Sequence, residues 1–263
     1  MKTINMKQKI LTAAIGMAMA VAAHAVPVLQ VGAPGVGVEG TYANYQLNLS
    51  NPTEAETAIT LGGSLYVAGV YQNKDVLNLG GQFGSGDNWS SFAPFSSLSI
   101  PFDSQQAILL VSVAEGKLAA ASGLTVGGNA AFYTSTTLNG MYLNSHDPVK
   151  DGTSDFLFFN IGDFTNNANV VPDFGPETGA ADGEIKTLAL AGFGSLEWAH
   201  FDVMALETSS KGTKIITTWE NNPGSHDVTW KPDGGPPPAE IPEPAGLALL
   251  GLGLICLGAI RRT

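Results

Sequence analysis

Through the middle of the chain, short apolar runs alternate with polar residues and turn formers. In Tyr45-Gln46-Leu47-Asn48-Leu49-Ser50 the alternation is strict. Successive side chains of a strand point to opposite sides, so this pattern gives one buried face. Ser64–Tyr71, Ala107–Val113, Phe156–Ile161, Lys186–Ala191 and Ala199–Leu206 read as further strands, punctuated by Gly, Asn, Asp and Pro. Ala131–Leu138, then Asn139-Gly140, then Met141-Tyr142-Leu143 predict a hairpin, because Asn and Gly tolerate the positive φ of a type I′ turn. Helical signal is thin. Lys117–Ser122 has room for a turn or two between Gly116 and Gly123, and 32 glycines favour tight turns. The pattern predicts an all-β fold: a single antiparallel β-sandwich domain, jelly-roll-like, over residues 26–230.

The two ends break this pattern. Lys2, Lys7 and Lys9 precede an uncharged run from Ile10 to Ala23, followed by Ala23-His24-Ala25. A basic start, a short apolar middle and small residues at both positions read by a signal peptidase make residues 1–25 a secretory signal peptide, cleaved after Ala25. The run is about 14 residues long, short of the roughly 20 that a spanning helix needs. At the other end, residues 231–240 include Pro232-Asp233-Gly234-Gly235-Pro236-Pro237-Pro238, a stiff, extended linker. Ala245–Ile260 then runs without a charge into Arg261-Arg262-Thr263. As a helix it would be roughly 24 Å long at about 1.5 Å per residue, short for a hydrocarbon core of about 30 Å. Snorkelling arginines and local thinning make up that difference, and Arg261 and Arg262 hold this end on the cytoplasmic side.

Pro242-Glu243-Pro244, the Gly/Ala/Leu-rich helix and the terminal Arg261-Arg262 together resemble the PEP-CTERM sorting domain, over residues 241–263. The resemblance implies an exported protein of an exopolysaccharide-making Gram-negative bacterium. It also implies processing of the tail by an exosortase, a membrane-embedded enzyme similar to cysteine proteases. The chain would then be tethered to the inner membrane first and pass to the cell surface or extracellular matrix afterwards. Three shorter stretches, Val26-Pro27-Val28-Leu29-Gln30, Ala199-His200-Phe201-Asp202-Val203 and Ser225-His226-Asp227, resemble the choice-of-anchor surface domains, a likeness that implies no activity.

Charge narrows the partners. The formal net charge is −11, and residues 1–25 with 240–263 carry five of the 12 basic residues but only Glu240 and Glu243 of the 23 acids. The exported domain is therefore more acidic than the whole chain, and such a surface repels phosphate backbones, which argues against nucleic acid. The one cysteine, Cys256, lies in the tail, so the domain has no disulfide although its compartment would permit them. Its stability must come from a core.

Candidate chemistry is sparse. Ser145-His146-Asp147 and Ser225-His226-Asp227 hold the residue types of a hydrolytic triad. Consecutive residues of an extended segment point to opposite sides, however, so neither trio can line up by itself. His146, Asp147, His226 and Asp227 could form a zinc or calcium site if folding brought them together. Asp151, Asp155, Asn160, Asp163, Asn166, Asn167, Asn169, Asp173, Glu177, Asp182 and Glu184 make one stretch rich in oxygen donors, which suits calcium but matches no EF-hand spacing. In Trp198-Ala199-His200-Phe201-Asp202-Val203 a strand puts Trp198, His200 and Asp202 on one face, expected to be the outer, solvated face of the sheet.

The expectation is a non-enzymatic surface protein, structural or adhesive in an exopolysaccharide-associated layer, with no obligatory cofactor. A carbohydrate- or calcium-binding module is the alternative, and a secreted hydrolase the third reading. The mature protein is predicted to begin at Val26. Edman sequencing of exported material checks this, and a retained Lys7 or Lys9 would refute it.

Overall fold

The computed structural model describes residues 26–32, 58–60, 63–93, 95–97, 102–138, 141, 148–174, 180–224 and 226–230. The Tyr45–Ser50 run, the signal segment and the sorting tail lie outside them. The described residues are mostly β and form two sheets, as the alternation predicts. The first contains β1 (Leu29–Gly32), β3 (Ser64–Val70), β6 (Thr125–Val126), β7 (Asn129–Ala130), β10 (Asn167–Pro172) and β11 (Ala180–Ala191), in the order β1-β3-β11-β6-β7 with β10 also on β11. The second contains β2 (Ala58–Thr60), β4 (Val76–Gly80), β5 (Ile108–Ala114), β8 (Tyr133–Ser135), β9 (Ser154–Asn160), β12 (Ala199–Lys211), β13 (Lys214–Asn221) and β14 (Val228–Trp230). Its order is β2-β14-β12-β5-β9-β8, with β4 and β13 also bonded to β12. Pairing is antiparallel throughout except between β14 and β2. One short helix, α1 (Leu118–Ala121), falls where Lys117–Ser122 predicts a turn or two.

A sandwich core lies between the sheets. Leu29, Val31, Leu65 and Val67 from the first meet Leu109, Val111, Phe159, Phe201 and Val203 from the second. The second sheet is covered on its other face as well. There Ile108, Leu110, Phe156, Phe158, Met204 and Leu206 pack under Trp89, Phe95, Phe102, Leu138 and Met141, which come from irregular segments. Trp89 meets Phe95 edge-on at 4.8 Å between ring centroids, and Phe102 meets Phe158 at 5.4 Å. Double coverage explains why β5 reads Ile-Leu-Leu-Val-Ser-Val: a strand buried on both sides has no polar stripe.

Two sequence readings gain detail. Of the predicted Ala131–Leu143 hairpin, Asn139, Gly140, Tyr142 and Leu143 lie outside the described residues. In its first arm Tyr133–Ser135 pairs with β9, where Tyr133 and Phe158 bring their rings together at 5.7 Å. A turn does close at the expected place, with Met141 N–H donating to Leu138 O at 3.0 Å, and it turns Met141 into the second core. The predicted strands at Lys186 and Ala199 are also longer than their apolar runs, extending to Ala180–Ala191 and Ala199–Lys211. In β12 the added residues, Glu207–Lys211, are polar and held by ladder bonds to β13, while in β11 Ala181 and Ile185 pack on a small cluster around Ala68 and Val171.

Gly69 of β3 shows how closely the interior is filled. The Phe164 ring occupies the space a Cβ would need, and that ring is fixed by its own backbone. Phe164 N–H donates to Leu79 O at 2.8 Å, and the Tyr71 hydroxyl donates to Phe164 O at 2.7 Å. Gly69→Val must displace a ring whose anchor points cannot follow, so it should destabilise the domain by about 1–3 kcal/mol. Urea unfolding with equal m-values checks this, and an unchanged midpoint would contradict the packing described.

Candidate functional site

β12 carries the most unusual residues of the domain. Its odd-numbered side chains, Ala199, Phe201, Val203 and Ala205, enter the sandwich core. His200 and Asp202 therefore share the opposite face, as the alternation requires. That face is not solvated, contrary to the expectation from sequence. His200 and Asp202 are both 0% exposed, because this face of the sheet has its own covering layer. Strand periodicity tells which face a residue takes; it cannot tell whether loops cover that face.

The antiparallel pairing of β12 with β14 brings up the rest of the group. His200 is opposite Thr229 and Phe201 opposite Val228, so Asp227 arrives beside Asp202. His200 Nδ1 lies 2.8 Å from Thr229 Oγ1. His200 Nε2 lies 3.3 Å from Asp202 Oδ2 and 3.6 Å from Asp227 Oδ2. Asp227 and Thr229 are likewise fully buried. The arrangement thus places one imidazole nitrogen and two carboxylates within 4.8 Å of one another in the interior.

Asn222 holds the group from one side. Its Oδ1 accepts from Val203 N–H at 2.7 Å, while its Nδ2 donates to Asp202 Oδ1 at 3.3 Å and to His226 O at 3.2 Å. Ser112 of β5 faces His200 across the strand pair and is also fully buried. Sequence reasoning passed over Asn222 and Thr229. An alternating Asp-Val-Thr next to an apolar strand was the available signal for Thr229, but Asn222 acts through the return of the chain after β13, which no local pattern encodes.

The trio Ser225-His226-Asp227 separates as extended geometry requires. His226 Nε2 lies 3.1 Å from Asp173 Oδ1, near the first sheet, while Asp227 turns to His200. His226 and Asp227 therefore do not join one cation site, and Ser145, His146, Asp147 and Ser225 lie outside the described residues. The oxygen-rich stretch from Asp151 to Glu184 is also dispersed. Asp151 accepts from Leu138 N–H at 2.6 Å, Asp155 from Leu118 N–H at 3.2 Å, Asp163 from Gly81 N–H at 2.8 Å, Asp182 from Asn169 N–H at 2.8 Å and Glu184 from Thr165 N–H at 2.7 Å. Each of these five carboxylates satisfies a separate backbone amide, and among the described residues the stretch brings no three His, Asp or Glu side chains together. Among the described residues there is also an open cleft of about 550 Å³, lined by Gln106, Asn129, Phe132 and Asn160 among others.

Of the sequence-derived sorting residues, Pro242, Glu243, Pro244, Arg261 and Arg262 lie outside the described residues, as do Ala23 and Ala25. Comparison with known proteins bears directly on the tail. No curated protein and no solved structure matches the chain. The choice-of-anchor likeness therefore rests on its three short stretches alone. The model of the PEP-CTERM protein-sorting motif matches residues 240–262, and the chain accordingly ends in a PEP-CTERM sorting tail.

Proposed function

We propose that this protein is an exported, non-enzymatic β-sandwich that serves as a structural or adhesive component of an exopolysaccharide-associated layer at the cell surface or in the extracellular matrix. The observation that carries the reading is the sorting motif at residues 240–262, which implies export and exosortase-type processing at the membrane. The basic, apolar and Ala-x-Ala order of residues 1–25 supplies the matching export signal. Acidic composition suits a domain that stays soluble once it leaves the membrane.

The division of labour within the tail yields a test. Residues 245–260 with Arg261 and Arg262 supply insertion and orientation. Pro242-Glu243-Pro244 supplies a stiff, charged segment just outside the bilayer, since each proline fixes φ. Glu243→Ala, or Pro242→Ala with Pro244→Ala, should therefore still insert but accumulate at full length in the inner membrane, while the wild type is shortened and moves outward. Immunoblots of fractions from a host with the sorting enzyme check this. Identical size and fractionation of mutant and wild type would sink the sorting role.

The cleft around Phe132 favours a second reading, a carbohydrate-binding module. Amide side chains both donate and accept, matching vicinal hydroxyls, and an aromatic edge offers apolar contact to a sugar ring. Asn129→Ala combined with Gln106→Ala should weaken retention on extracted exopolysaccharide about tenfold, the loss of roughly two hydrogen bonds at about 0.5–1.5 kcal/mol each. Equal retention of mutant and wild type in a pull-down would remove the cleft from the account.

A further inference from the structure

We infer that His200, Asp202 and Asp227 form a structural binding site for one divalent cation of the zinc class. This inference is independent of the sorting role and of the cleft. It begins from lone pairs. With Thr229 Oγ1 accepting the proton of Nδ1, the Nε2 lone pair of His200 faces the two carboxylates, at 3.3 Å and 3.6 Å from their Oδ2 atoms. Nε2 is fully buried and makes no well-formed hydrogen bond among the described residues. Groups that only accept do not converge in a dry interior unless something positive stands between them.

Charge arithmetic separates the two possible positives. A proton on Nε2 can be shared with one carboxylate at a time, whereas two of them face this nitrogen, at 3.3 Å and 3.6 Å. A divalent cation neutralises both carboxylates and uses the imidazole lone pair as well. Ligand spacing agrees: zinc bonds of about 2.0–2.1 Å in tetrahedral geometry set ligand atoms roughly 3.3–3.4 Å apart. Nitrogen in the donor set disfavours calcium and magnesium, which take oxygen.

The surroundings match a metal's supporting shell. Metal-bound histidines donate their other ring N–H to a fixed acceptor, and ligating carboxylates are themselves hydrogen-bonded. Thr229 stands at Nδ1, and Asn222 Nδ2 donates to the Asp202 oxygen that faces away from His200, Oδ1, at 3.3 Å. Ser112, opposite His200 on β5, is buried with its hydroxyl unbonded among the described residues, so the polar volume extends beyond the three ligands. Three protein ligands leave the fourth tetrahedral position to a water, and complete burial keeps substrate from it, so the ion would be structural. Such an ion would staple β14 to β12 in a domain without a disulfide.

The test uses the full chain purified in detergent, stripped with chelator and titrated with zinc chloride. Wild type should bind one equivalent and melt at a higher temperature when loaded. Asp202→Asn and Asp227→Asn, which keep side-chain volume, should bind roughly 100-fold more weakly or not at all and lose the zinc-dependent melting shift. Asp173→Asn, altering the carboxylate beside His226, should bind like the wild type. If the ligand variants do not fold, cobalt(II) added to the stripped wild type provides the second readout: a visible absorption band of tetrahedral nitrogen and oxygen ligation, displaced by zinc. No stoichiometric zinc uptake by the wild type, uptake retained in both ligand variants, or a melting shift with calcium but not zinc would each overturn the inference.

Discussion

The domain depends on one strand whose first eight residues have no solvent-facing side. β12 bonds to β5, β4, β13 and β14, and from Ala199 to Leu206 all its residues are buried. A strand at the edge of a sheet, or in a sheet with one wet face, can place polar groups in water. Between Ala199 and Leu206 β12 cannot. Any polar side chain in that stretch must find a partner inside, at a cost of several kcal/mol where a charge is left uncompensated. The buried polar groups around this stretch follow from that constraint.

Along β12 the constraint is met in three different ways. In its middle, Met204 and Leu206 avoid it by being apolar under the aromatic layer. Toward β13, Thr208 pairs hydroxyl to hydroxyl with Thr217 at 3.2 Å, and neither group carries a charge. Toward β14, His200 and Asp202 meet it with charge, together with Asp227. The second core thus ends at an ionic group on one side and a hydroxyl pair on the other. Covering loops carry Trp89, Phe95 and Phe102, whose burial closes this face and makes the interior polar groups unavoidable.

Much of this was legible in the sequence, and the failures share one cause. The strands at Ser64, Ala107, Phe156, Lys186 and Ala199 could be read because alternation and apolar runs are local properties. The facing of His200 and Asp202 to one side was legible for the same reason. Their burial was not, since the groups that close on them, Asp227 and Thr229 from the β14 region and Asn222 after β13, arrive from segments distant in sequence. β13 was missed because Lys-Ile-Ile-Thr-Thr-Trp-Glu-Asn shows no clean period; it is held by a long ladder to β12, and Ile215 and Ile216 remain exposed. The stretch at Ala131 makes the same point: the turn at Leu138–Met141 was legible locally, but the pairing of Tyr133 with Phe158 was not. The tail, a linear motif, needed no tertiary context and was the most readable part of the chain.

The ionic group and the tail are also connected by chain order. β14 ends at Trp230, and the sequence continues directly into the proline-rich linker and the sorting motif. If the sorting tail holds the domain at the membrane, as proposed, load from it reaches β14, the last strand among the described residues, first. That strand pairs over three residues with β12 and three with β2, a small number of backbone bonds for a point of attachment. Thr229 within it and Asp227 just before it are the side chains locked to His200 across the pair. Removing β14 would expose Asp202 and His200 on a strand evolved without a wet face, together with Val228 of the sandwich core. The charged interior therefore sits where a tether most needs cohesion. It also makes detachment of the last strand costlier than its length alone would suggest.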